Sequence, residues 1–142
     1  MKLYGKAIVR GKVSGELLST LQPISFLGGV YPENGTIRDS KHELYGQSIK
    51  GKIFAIPYTV GSSVGAYVIY GMAMKNTNPA GIVADTGDIN LVTGCAAAGI
   101  PLLLQVDIKK LSKHNGKKAL LDSASSTISI IDDGQNKKVV DE

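Results

Sequence analysis

The sequence predicts an α/β domain with a β-rich N-terminal part. Three observations predict it. Wholly apolar runs at Ile53-Phe54-Ala55-Ile56, Gly81-Ile82-Val83-Ala84 and Leu102-Leu103-Leu104 do not alternate, as expected of strands covered on both faces. Two stretches with helical spacing separate these runs, giving the order strand–helix–strand–helix–strand of a βαβαβ unit over 53–104. Upstream, residues 3–19 alternate and are punctuated by Gly5, Gly11 and Gly15, the pattern of strands joined by tight turns.

Taken in order, residues 3–19 predict two strands. A third piece follows over 21–26, where Pro23 confines it to an edge or a strand start. Residues 27–52 are polar and glycine-rich, with Gly28-Gly29, Pro32, the turn signal Asn34-Gly35, and Gly46. An irregular stretch of that length in a compact domain points to a functional loop. Pro57 ends the first buried strand, and 58–61 form a loop. Ser62-Ser63 then opens a helix carrying Val64, Tyr67, Val68, Tyr70, Gly71 and Met74 at helical spacing. Asn76 to Pro79 stop it. A second helix is predicted over 88–98, with Asp88 or Asn90 as N-cap and Gly99 at the C-terminal cap. Residues 107–131 predict a short helix or turn and strand-like pieces near 119–121 and 127–131. A tail over 131–142 is expected to fray. With no linker and no repeat, residues 1–142 read as one domain.

Composition excludes several classes. An apolar fraction of 43% in 142 residues suffices for a core without disulfides or metal staples. A single cysteine, Cys95, forms no intramolecular disulfide, which suits a reducing compartment. The net charge is +4, and the lysines are not interleaved with aromatics, so no nucleic-acid surface is expected. No apolar run spans a membrane and no signal core follows Met1, so the expected location is the cytoplasm, away from membranes. His42 and His114 form no metal-spaced pair, and Cys95 sits in an apolar helical stretch as a core residue. No metal site is expected in this chain.

The most informative segment is Gly61-Ser62-Ser63-Val64-Gly65, after a buried strand and at a helix start. Helix N-termini carry unpaired N–H groups and partial positive charge, which favour anions. Three readings of the residues stand side by side. A serine here serves as an ordinary N-cap. The segment also fits G-x-S-x-G with Ser63 as a hydrolase nucleophile, and Asp107 and His114 follow in triad order. Third, the helix start holds an anion without catalysis.

A longer series of motifs narrows this. Ser25-Phe26-Leu27-Gly28-Gly29-Val30, Pro32-Glu33-Asn34-Gly35, Ile37-Arg38-Asp39, His42, Gly46-Gln47-Ser48, Gly51-Lys52-Ile53 and Gly61-Ser62-Ser63 run in order over most of the chain. This series resembles the small subunits of the aconitase X family, in particular those of the archaeal phosphomevalonate dehydratases. The resemblance implies a swivelling β/β/α domain of aconitase type, a mixed-sheet or barrel-like core with flanking helices. It implies a hydro-lyase, active only with a large subunit, that dehydrates mevalonate 5-phosphate to trans-anhydromevalonate 5-phosphate on the route to isoprenoids. Other members of the family dehydrate hydroxyproline-type compounds. The [4Fe–4S] cluster belongs to the large subunit, since one cysteine cannot hold it. Ser62 is then the catalytic base, and Gly61, Ser63, Val64, Gly28 and Gly29 are substrate-binding residues. Ordinary aconitases place arginine and glutamate after Gly-Ser-Ser. Val64 and Gly65 stand there instead, so that arginine's carboxylate clamp is missing. Arg38, Lys41 and His42 are candidates to meet a phosphate or the partner.

Overall fold

A computed structural model of the chain describes residues 1–61 and 63–131. In chain order the strands and helices are β1 (Lys2–Tyr4), β2 (Lys6–Val9), β3 (Lys12–Ser19), the single turn α1 (Phe26–Gly29), β4 (Val30–Tyr31) and β5 (Thr36–Ile37). They continue with β6 (Ile53–Ile56), α2 (Gly65–Met74), β7 (Gly81–Ala84), α3 (Ile89–Ala98), β8 (Leu102–Leu104), β9 (Lys118–Asp122) and β10 (Thr127–Ile130). Eight strands form one mixed sheet in the order β1-β10-β9-β3-β6-β7-β8-β2.

The predicted βαβαβ unit is present, with β6, β7 and β8 parallel and α2 and α3 as the crossovers. Side-chain direction along these strands sorts the core into two layers, because successive residues face opposite ways. Phe54, Ile56, Ile82, Ala84, Leu102 and Leu104 join Ile69 and Met72 of α2 and Leu91 and Cys95 of α3. Ile53, Ala55, Val83 and Leu103 instead join Leu17 of β3 and Ala119, Leu121, Ile128 and Ile130 from the other half of the sheet. Thus one half-sheet packs on the second, and the second packs on the helices, a β/β/α layering. Strand β3 connects the halves. Its residues Lys12 to Glu16 pair with β9, and Leu17 to Ser19 pair with β6.

Residues 3–19 form three strands rather than two. The single residue Gly5 separates β1 from β2, yet β1 pairs with β10 and β2 with β8, at opposite ends of the strand order. The sheet therefore curls until its two ends meet at Gly5. No strand forms over 21–26. Ile24 makes only an isolated parallel bridge to Thr59, and the chain then turns through α1. Pro23 has no N–H to give a ladder. Leu27 (φ −78°, ψ 114°) and Gly28 (φ 83°, ψ −15°) have the dihedrals of a type II turn, which needs glycine at its second central position.

The stretch 27–52 is irregular but packed. It carries the β4-β5 hairpin, and Val30, Ile37, Leu44 and Ile49 are buried in the helix-side core. This packing fixes α1 and the following loop beside the start of α2. At the other end, Ile131 is not part of a frayed tail. It is buried and its N–H bonds Lys118 O at 2.8 Å. Residues 132–142, the rest of that predicted tail, lie outside the described residues.

Candidate active site

Two glycine-bearing segments meet at the C-terminal end of β6. Residues 58–61 leave β6 and run beside 23–25, joined by Val60 N–H to Ile24 O at 3.0 Å and Ile24 N–H to Tyr58 O at 3.4 Å. Gly61 has φ 112°, a backbone state that side-chain-bearing residues rarely adopt. A Cβ at Gly61 would also stand 2.9 Å from Ser25 Oγ. The Ser25 hydroxyl in turn donates to Leu27 O at 2.8 Å, which ties it to the type II turn. The predicted Gly28, Gly29 and Gly61 are therefore brought together, with Ser25 between them. Gly28, Gly29, Ser25, Val60 and Arg38 line one cleft of about 500 Å³, within the size range of small-ligand sites.

The helix opens later than its sequence predicts. Ser63 lies in an exposed turn, Val64 is the N-cap residue, and α2 starts at Gly65. The N-cap Val64 supplies no side-chain hydrogen bond to the first-turn N–H groups. The ordinary capping role is thus not filled by Ser63. In contrast, Asp88 caps α3 conventionally, accepting from Leu91 N at 2.9 Å. Ser62, the predicted base, lies outside the described residues.

The family profile of the aconitase X swivel domain matches residues 2–130. The chain belongs to the aconitase X swivel-domain family. It is 42% identical to the phosphomevalonate dehydratase small subunit of Pyrococcus furiosus, over 94% of this chain and 98% of that protein. The namesake subunit of Methanocaldococcus jannaschii is 40% identical, over 92% and 98% respectively. Among solved structures, the crystal structure of Thermococcus kodakaraensis aconitase X in its holo form contains a chain that matches with a TM-score of 0.89 at 39% identity. That match covers 93% of this chain and 99% of the other.

Within this swivel domain the other sequence candidates separate. His42 is not a free loop histidine. It is buried, its Nδ1 accepts from Leu44 N at 3.1 Å and its Nε2 lies 3.2 Å from Pro23 O. It staples the loop to the segment before α1. Asp107 caps a 3₁₀ turn by accepting from Lys109 N at 3.1 Å. His114 is buried in the next 3₁₀ turn, three residues after Leu111, which belongs to the core between the half-sheets. Ser63 is exposed on the helix side of the fold. The residues of the hydrolase triad thus occupy different surroundings, and Asp107 is already engaged.

At the end of β7, burial raises the Asp85 carboxyl above its ordinary value; the Ile108 N–H and Lys109 oppose this and Asp107 adds to it. No helix among the described residues is long and apolar enough to cross a membrane.

The donor set of this chain does not fit an iron–sulfur cluster. Cys95 is fully buried under α2, and burial pushes its thiol up to about 12. The described residues contain no cluster of three metal-ligating side chains. Cys95 in the native protein is therefore expected to resist iodoacetamide at neutral pH and to be labelled once unfolded. Mass spectrometry checks this, and rapid labelling of the native chain would contradict it.

Sequence reasoning missed two features here. One is Ser25, which sets the room beside Gly61. It stands first in the Ser25-Phe26-Leu27-Gly28-Gly29 motif and was visible as its only hydroxyl. The other is the exposed apolar face of α2. Tyr67 is 77% exposed, Met74 69% and Val64 43%, whereas Ile69 and Met72 fill the core. A groove of about 510 Å³ lies between α2 and α3, lined by Ser63, Tyr67, Tyr70 and Asn90 among others.

Proposed function

We infer that this chain is the small, swivel-type subunit of a phosphomevalonate dehydratase. Such an enzyme is a hydro-lyase that removes water from mevalonate 5-phosphate to give trans-anhydromevalonate 5-phosphate in the archaeal mevalonate pathway. The observation that carries the reading is similarity of about 40% identity, over nearly the whole chain, to subunits of that name. The [4Fe–4S] cluster implied by the family belongs to the large subunit.

In this reading the chain contributes the base. Ser62 takes the proton from the carbon beside the carboxylate while the tertiary hydroxyl leaves the adjacent carbon, so that the elements of water are lost and a double bond forms. A serine must act as its alkoxide, since its hydroxyl is a weak base at neutral pH. The α2 N-terminus helps, by about 0.3–2 kcal/mol. The remainder comes from hydrogen-bond donors that the large subunit brings as it closes over the turn, whose hold on the alkoxide strengthens as water is excluded. Supporting this placement, the serine turn leads into the N-terminus of α2, whose N-cap Val64 supplies no side-chain hydrogen bond to the helix, and helix N-termini favour anions.

The large subunit docks on the apolar face of α2. That face continues directly from the serine turn, through Val64 to Tyr67 and Met74, and Ile89 is exposed nearby at the start of α3. Clustered exposed apolar side chains mark interaction sites. The test is anaerobic reconstitution with the large subunit, followed by a mevalonate 5-phosphate dehydration assay. An inactive but fully assembled, cluster-loaded complex overturns the assigned reaction. The Tyr67→Asp and Met74→Asp variants are expected to fold normally and to lose co-elution with the large subunit on gel filtration. Unchanged co-elution would displace the docking face.

A further inference from the structure

We propose that Arg38 is the side chain of this subunit that recognises the phosphate of the substrate, in the cleft beside Gly28-Gly29. The proposal rests on the phosphomevalonate dehydratase reading and assigns one of its substrate groups to one residue. Arg38 follows directly on β5, and its N–H bonds Gly29 O at 2.8 Å, so its backbone is locked to the glycine turn. Its guanidinium stands 5.2 Å from the centre of the Tyr31 ring. That stacking occupies the face of the guanidinium and leaves its N–H edge available.

The charge is not spent elsewhere. Among the described residues the ion pair found is Lys52 with Glu16, at 3.7 Å, and Arg38 has no carboxylate partner. The adjacent Asp39 is turned back on its own loop, accepting from Lys41 N at 2.9 Å. His42, which lines the same cleft, has both ring nitrogens engaged by the backbone. Over Gly28 the space is open, with nothing within 4 Å of a Cβ built there. A bulky anion can therefore approach the backbone beside an oriented arginine.

Between the two anionic groups of the substrate, geometry selects the phosphate. The carboxylate is attached to the carbon that loses its proton, so it must lie at the serine turn itself. The phosphate is at the far end of the carbon chain. Arg38 lines the cleft together with Ser25 and Val60, and Gly61 itself is not among the residues lining it. A planar fork of N–H donors suits phosphate oxygens, which it can grip in pairs.

The test uses the reconstituted two-subunit enzyme with mevalonate 5-phosphate and, separately, mevalonate. Wild-type turnover of mevalonate 5-phosphate tests the underlying reading; its absence overturns both that reading and the proposal. Given wild-type turnover, Arg38→Ala is expected to raise KM for mevalonate 5-phosphate about ten- to a hundredfold, as loss of a charge-assisted contact does, with kcat within a few-fold. Selectivity for mevalonate 5-phosphate over mevalonate falls by the same factor. Arg38→Lys keeps the charge but not the fork and gives a smaller rise. An unchanged KM overturns the proposal and leaves the function intact, as does an equal loss on both substrates. If both variants fail to co-elute with the large subunit, Arg38 is an interface residue and the proposal is overturned.

Discussion

In the reconstituted enzyme, Ser62→Ala lowers kcat by about two to four orders of magnitude, the range a positioned general base supplies. The KM for mevalonate 5-phosphate stays within a few-fold, because one hydroxyl facing a C–H contributes little to ground-state binding. Ser63→Ala, the neighbouring control, keeps kcat within a few-fold. The contrast separates the two serines of the motif by role. It follows from the place of the turn, between the left-handed Gly61 and the N-terminus of α2. If Ser62→Ala turned over at near wild-type rate, the base would have to be sought elsewhere. If Ser63→Ala alone were inactive, the nucleophile-elbow reading would return.

Gly61→Ala is the second large expected effect, and it has two separable causes. The backbone at φ 112° strains any residue with a Cβ, by about 1–2 kcal/mol. The new methyl also meets Ser25 Oγ at 2.9 Å. The turn must therefore move, and a displacement of about 1 Å in a catalytic group costs about 100-fold in rate. The isolated subunit should unfold at a lower temperature and the assembled enzyme should lose kcat. Adding Ser25→Gly removes the collision but not the dihedral strain, so the double variant should regain part of the activity and little of the stability. Equal recovery of both would mean that the dihedral contributes nothing. Thermal melts and steady-state kinetics on the two variants decide it.

Much of the fold was legible because it rests on local signals. Buried runs such as Ile53 to Ile56 could only be strands covered on both faces. Asp88 or Asn90 at the start of an apolar helical stretch, and Gly99 after it, marked the two ends of α3, and the structure makes Asp88 the cap. Other elements depended on contacts distant in sequence. Nothing local in residues 3–19 says that Lys2 will lie beside Ser129 while Lys6 lies beside Leu104. Residues 21–26 alternate well enough for a strand, but Pro23 and the turn at Leu27-Gly28 leave a single bridge to Thr59.

The same division holds at the site. The glycines and the serine motif were readable as a pattern. Their meeting around Ser25 was not, because it depends on 23–25 running beside 58–61. His42 looked like a loop residue free to meet a phosphate or the partner and is instead a staple, since its partners Leu44 and Pro23 are set by loop packing. The apolar residues of α2 carried the correct period for a helix. Which stripe faced inward could not be read, because large side chains with apolar surface stand on both, Tyr67 and Met74 on one and Ile69 and Met72 on the other.

The meeting of the two sheet ends at Gly5 also bears on how the nascent chain matures. Strand β1 cannot pair until β10 has been made, and β2 cannot pair until β8 has been made. Vectorial synthesis therefore cannot complete this domain in stages, and ring closure becomes a late, slow step, in the millisecond-to-second range of topologies dominated by distant contacts. Until then the half-made sheet exposes long unpaired strands such as β3, eight residues in length. After closure the outermost strands are only three and four residues long, too short to recruit a stray neighbour.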